Sequence, residues 1–414
     1  MSVTRGGPVL GTALRGAGRG RAGSGGARSG ARGSGAGAPR SAADGVDWEG
    51  ALRLARVATP AGPHAPGATR RSAVALLRRS AQDALPWAAQ ITGLTRAARQ
   101  AADTTTVLVV DRVGLQRANT EALRALMGQV PDSATQLGPL DPAARAAGRA
   151  AVTAAVAGLL GLVSTRVLGQ VLPGAWGAGA GAGAGTRAEA ALRAGSNAPR
   201  MLLVAPNVLR LQRERDLDRL DLPAWVALHE STHVLQLAAA PWLVEYLAAQ
   251  VTDVATALMG PAASGEPADV ARLARAVREA ARTGTVEGEP SPLLTDRLGA
   301  QERARLSAVA ATMALLEGHA EAVLDAVEPS RMPSVHRLRA VLGHSRGSGA
   351  GTALERLLGV EAKQAQYVDG AAFVRGVVGR VGHAGLNVVW REPANLPRPE
   401  EIGRPEAWIE RMGL

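Results

Sequence analysis

Cysteine is absent from all 414 residues, which removes disulfides, thiolate metal ligands and a cysteine nucleophile together. Lysine is almost absent too, with Lys363 the single one among 47 basic residues. Aromatics are scarce: one Phe, two Tyr and seven Trp. A core therefore has to be packed from Leu, Val and Ala, which the 46% apolar content allows. There is no compact N-terminal apolar run with a cleavage site, and the expectation is a cytoplasmic protein. The longest apolar stretch, between Arg149 and Arg166, is sixteen residues, short of the roughly 20 that span a bilayer. It reads as a buried helix, with no membrane partner.

The net charge of +11 is uneven. Seven arginines against one acid, Asp44, place more than half of it in residues 1–45, an Arg/Gly/Ala-rich segment with the composition of a disordered tail. That segment lacks the interleaved aromatics of a single-strand nucleic-acid binder, and the rest is too mildly charged to imply nucleic acid as a partner. The expected organisation is a tail over 1–45, a helical part over 46–173, a Gly/Ala linker over 174–185 and a catalytic part over 186–414. Spacing predicts helices over 48–58, 70–101, 115–128, 141–172, 222–258, 267–283, 299–328, 333–343, 352–360 and 363–381. Thr105–Asp111 and Met201–Pro206, rich in β-branched or apolar residues, are the strand candidates, and Trp390–Pro405 reads as extended. The fold class is mainly α with a few short strands.

Against that background one pentapeptide stands out, His229-Glu230-Ser231-Thr232-His233. Residues four apart on a helix lie about 40° apart around its axis, so two imidazoles at that spacing can share one ion. The intervening acid then sits beside the open coordination position, where it can act as a general base. Asp221-Leu222-Pro223 supplies a helix start, and Trp225, Leu228, Thr232, Leu235 and Ala239 form an apolar stripe at three- and four-residue steps. Polar groups in such a stripe need partners, and a divalent cation supplies one.

Zinc held by two histidines needs a third protein ligand. Leu306, Val309, Ala310 and Met313 define an apolar face that Glu317 and Glu321 continue. Glu317 on the metal, with Glu321 accepting a hydrogen bond from a ligand imidazole, satisfies both carboxylates. His319, Glu245 and Asp253 are the competing third ligands; His319 lies roughly 200° around the helix from Glu317.

Trp225–Gln236, Pro241-Trp242-Leu243 and Leu316–Ala320 together resemble a zincin-like family of zinc-dependent metalloproteases. That family is found mostly in high-GC bacteria and is in part associated with deazaflavin-coenzyme biosynthesis. Val109–Arg112, Val204–Asn207, Lys363-Gln364, Tyr367, Gly370, Phe373–Arg375 and the ending from Trp390 to Trp408 extend the similarity over residues 46–412. The resemblance implies a mostly helical zincin, with Glu317 matching the family's glutamate ligand and Glu321 steadying the first histidine, His229. The 84-residue gap from His233 to Glu317 is much longer than in the short-spaced zincins.

The expected chemistry is hydrolysis of a peptide or amide by Zn²⁺-activated water, with Glu230 moving the proton from water to the leaving amine. Tyr367 and His336, with His344 and Arg375 behind them, are the candidate oxyanion donors. Two rival readings remain. One is a zincin-like binding protein without turnover. The other is a serine hydrolase, from Gly343-His344-Ser345-Arg346-Gly347 with Asp369 and His383 following.

Overall fold

The computed structural model describes residues 41–130, 142–174, 198–259, 299–343 and 370–414. All of these lie in one unit, Pro39–Leu414. Its helices are α1 (Trp48–Ala58), α2 (Gly67–Thr92), α3 (Thr95–Thr104), α4 (Arg112–Met127), α5 (Pro142–Arg166), α6 (Ala205–Glu214), α7 (Asp221–Ala239), α8 (Leu243–Met259), α9 (Ala300–Asp325), α10 (Val335–Gly343), α11 (Gly370–Leu386) and α12 (Pro405–Met412). Among the described residues three strands, β1 (Thr106–Val110), β2 (Gly169–Leu172) and β3 (Arg200–Val204), make one small sheet in the order β1-β3-β2. The fold is thus mostly helical with a minor sheet. The expected helices over 267–283 and 352–360 lie outside the described residues.

Helix α7 carries the His-Glu-x-x-His segment, and its start is built by the residues before it. The Asp218 carboxylate accepts hydrogen bonds from the backbone N–H of Leu220 (2.7 Å) and Asp221 (2.9 Å). Pro223 then falls in the first turn, where a missing N–H costs nothing. Leu222, Ala227, Leu228 and Leu235 are fully buried, and α2 and α3 pack against the helix. Each such leucine stabilises the fold by about 1.5–3 kcal/mol. The residues expected as one helix, 222–258, form two, α7 and α8, meeting at 93°. Pro241 explains the break: it lacks an N–H and turns the residue before it away from helical backbone.

A second correction concerns the end of the expected helix 141–172. Helix α5 stops at Arg166, and residues 169–172 are β2 instead, antiparallel to β3 with Gly169 opposite Leu203 and Leu172 opposite Arg200. Strand β1 joins the other side of β3 in parallel, Thr106 opposite Arg200 and Val110 opposite Val204. The turn from α5 into β2 is held from below. Arg112 Nε donates to Asn207 Oδ1 at 2.8 Å, and the Asn207 amide donates to the carbonyls of Ser164 (2.9 Å) and Val167 (2.7 Å). Arg112 and Asn207 are both buried. Helix α5 is covered less than a core helix: Ala157, Leu160 and Leu162 are buried, but only 22% of the Ala146–Arg166 window is. By length and composition alone it is the one described helix able to cross a membrane.

Helix α9 packs against both α7 and α11. At the second of these contacts the backbones nearly touch: a Cβ on Gly318 would lie 2.1 Å from Gly370 C, and one on Gly370 would lie 1.9 Å from Ala314 O. Only glycine fits at either point. Beyond α11 the chain, expected as extended, winds through 3₁₀ turns at Asn387–Trp390, Pro393–Asn395 and Pro399–Glu401. This end packs Phe373 edge-on against Trp408 at 5.9 Å, both fully buried, so two of the chain's few aromatics anchor the C-terminal core.

Candidate metal centre

His229 and His233 project from the same side of α7, as their four-residue spacing requires, and α9 brings Glu317 against them. The imidazole Nε2 atoms are 3.2 Å apart. Glu317 Oε2 lies 3.4 Å from Nε2 of His229, and Oε1 lies 3.6 Å from Nε2 of His233. An ion bound tetrahedrally at about 2.0–2.1 Å separates its donor atoms by about 3.3–3.4 Å. The observed spacings bracket that value, and two neutral nitrogens with one carboxylate are a zinc donor set. The residues present therefore fit a single divalent ion. Among the described residues this is the one group of three His, Asp or Glu so arranged.

Electrostatics agree with the geometry. Burial works to raise the Glu317 carboxyl, but His233 and His229 outweigh it and hold the group down at about 2. Its side chain is 41% exposed, against 26% and 17% for His229 and His233, so the cluster opens to solvent on the carboxylate side. Glu230 is the reverse case. It is 6% exposed, and burial pushes its carboxyl up to about 7, with Glu317 adding to the rise and His233 opposing it. Its neighbour is the edge strand: a Cβ on Gly169 would lie 2.5 Å from Glu230 Cγ and 2.7 Å from Oε1. Gly169 is therefore the residue that makes room for the acid, and the Arg112–Asn207 tie fixes where β2 meets it.

The other named candidates separate clearly. Glu245 is exposed on α8, and Asp253 pairs with Arg305 at 3.0 Å. His319 is fully buried, its ring tilted 43° against that of Trp390 at 5.3 Å, and it touches Gln236 of α7 and not the donor cluster. Burial, then the His383 and His233 charges, lower its imidazole to about 3. Its Nε2 and Nδ1 of His383 are buried with no partner among the described residues, their rings 6.3 Å apart. Glu321 lies one turn past Glu317, with Oε2 4.0 Å from Nη2 of Arg375, which also binds Asp325 at 2.7 Å. At His233 the outer nitrogen faces Gln236: Nδ1 to Oε1 is 2.9 Å. His336 is exposed on α10, which abuts Asp221, eight residues or about 12 Å of helix before His229. Tyr367, His344, Ser345 and Asp369 lie outside the described residues, so the serine-hydrolase arrangement has only His383 in view.

Gln236 and Gly169 are the two site residues that the sequence motif did not assign. Gln236 had a signal, since it follows His233 by three and shares its face. Gly169 had none, because its neighbour is 61 positions away in sequence.

A helix bearing His-Glu-x-x-His, a glutamate delivered from a second helix and an edge strand over the acid define the zincin type of metal site. Residues 46–409 match the zincin-like metallopeptidase family, and the chain belongs to it. A solved structure from Chloroflexus aurantiacus, described as a candidate hydrolase with a novel fold, shares the architecture: TM-score 0.55 at 23% identity, over 89% of this chain and 99% of that one. No curated protein matches the chain. Family membership supports a metallohydrolase.

Proposed function

We propose that this chain is a zinc-dependent hydrolase acting on peptide bonds, with His229, His233 and Glu317 as ligands and Glu230 as general base. The observation that carries the reading is the agreement between the donor spacings of 3.2, 3.4 and 3.6 Å and the edge of a tetrahedral zinc site. When bound, the ion supplies a Lewis acid that polarises the scissile carbonyl and acidifies attacking water. Glu230 takes the water proton and hands it to the leaving amine. Burial, which pushes the Glu230 carboxyl up to about 7, makes it a better proton acceptor than an exposed glutamate. The positive charge of a bound ion draws Glu230 toward its carboxylate, which is the form that accepts the proton.

The exposed carboxylate side of the cluster gives a substrate its approach, and Gly169 of β2 packs against Glu230. The test is digestion of a diverse peptide mixture by purified protein, with and without a chelator, followed by mass spectrometry. Cleavage by wild type that is lost on chelation, restored by Zn²⁺ and absent in Glu230→Gln supports the reading. Zinc binding without cleavage of any peptide would turn the site into a binding module.

A further inference from the structure

We propose that Gln236 is a positioning residue that decides which nitrogen of His233 faces the ion, and that the backbone carbonyl of Leu316 dictates its choice. Glutamine's amide can sit either way round, so the assignment has to come from its neighbours. Gln236 has three of them. One end of the amide lies 2.8 Å from the carbonyl oxygen of Leu316, which can only accept. That end is therefore the NH₂ group, since the flipped amide would press two buried acceptors together. The carbonyl end, Oε1, then faces Nδ1 of His233 at 2.9 Å. An amide oxygen also only accepts, so Nδ1 of His233 must carry the proton. Nε2 is left with its lone pair, and Nε2 is the atom that points at His229 and Glu317.

The remaining amide hydrogen lies toward Nδ1 of His319 at 3.2 Å. That nitrogen must accept, which puts the His319 proton on Nε2. Gln236 is 1% exposed and His319 fully buried, so water does not compete for these bonds. The result joins the two ligand helices. Leu316 immediately precedes the ligand Glu317 on α9, and through Gln236 its backbone sets the tautomer of the ligand His233 on α7. One packing arrangement thus supplies the carboxylate and readies the imidazole together, and α7 and α9 cannot shift apart without losing both.

The function of this lock rests on the metal reading, but the lock itself can be tested without metal. In metal-free protein labelled with ¹⁵N-histidine at pH 8, long-range ¹⁵N–¹H correlation spectra read the tautomer of each neutral ring. The expected result is His233 protonated on Nδ1 and His319 on Nε2. In Gln236→Leu, His233 is expected to move toward the Nε2-protonated form. Zn²⁺ affinity in that variant, measured by competition with a chromophoric chelator, is expected to fall about 10- to 100-fold, the usual loss on removing a group that orients a ligand. Wild-type His233 carrying its proton on Nε2 would overturn the proposal, and so would an unchanged His233 tautomer in folded Gln236→Leu. If that variant does not fold, the wild-type spectrum alone decides. Protein with the expected tautomers that takes up no zinc would remove the metal reading and leave the lock standing; zinc uptake with the other tautomer would do the opposite.

Discussion

Three imidazoles around α7 and α9 sit in two environments. His229 and His233 meet Glu317 at a rim open to solvent, with an acid 3.4 and 3.6 Å away. His319, only two residues past Glu317 and linked to His233 through Gln236, is sealed beside Trp390 and His383, and among the described residues no acid pairs with it. The first pair can bind a cation because a carboxylate balances the charge and water can reach the ion. The buried ring can do neither, and its burial drives it to the neutral form. Residue type alone does not separate a ligand from a supporting group; the nearest charge and the access to water do.

The strongest way to break this contrast is to remove the balancing acid. Glu317→Gln should weaken zinc binding at least 100-fold by chelator competition, whereas His319→Gln should weaken it far less. Equal losses would erase the distinction. Next in size is Glu230→Gln, which should lower peptide turnover about 10²- to 10⁴-fold, the usual share of a general base, while one zinc per chain remains. Retained turnover would remove Glu230 from the chemistry. Smaller again is Gly169→Ala. A methyl there meets Glu230 at 2.5 Å, so the acid must move, and a loss of about 10-fold or more in kcat with zinc stoichiometry unchanged is expected. Unaltered kcat would mean that β2 does not hold the acid in place.

The smallest effect concerns pH and the buried ring. His319 is lowered to about 3 in the fold against 6.5 when free, so the unfolded chain binds the extra proton in between. Its contribution is whole above pH 6.5 and drains away as pH falls toward 3. His319→Gln has no such group. The stability gap between wild type and His319→Gln, measured by urea unfolding of metal-free protein, should therefore close by roughly 1.4 kcal/mol per pH unit below 6.5. A gap that stays constant from pH 7 to 5 would show that the ring is accessible to protons in the folded state.

Much of this was written locally in the chain. The start of α7 at Asp221, the two strands at Thr106–Val110 and Arg200–Val204, and the glutamate one turn past Met313 all follow from short-range pattern. What pattern could not reveal depends on distant partners. Strand β2 is four residues with a glycine, and it is a strand only because β3 is there to pair with it. At Ala240-Pro241-Trp242 two local signals compete: apolar spacing runs straight through, while Pro241 marks the turn that the backbone makes, 93°. Gln236 lay in plain view beside His233, yet its task is set by a carbonyl 80 positions later. Glu321 sits one turn from Glu317 as expected, and Arg375, from another helix, lies 4.0 Å from its carboxylate. Spacing places a side chain on a face; the element that packs there assigns its partner.

Zinc K-edge X-ray absorption of protein loaded with one equivalent of Zn²⁺ tests the central claim most directly. The expected spectrum has a first shell of nitrogen and oxygen at about 2.0–2.1 Å with the outer-shell scattering of two imidazoles, reduced to one in His233→Ala. A first shell without imidazole scattering, or a spectrum unchanged by His233→Ala, would contradict it.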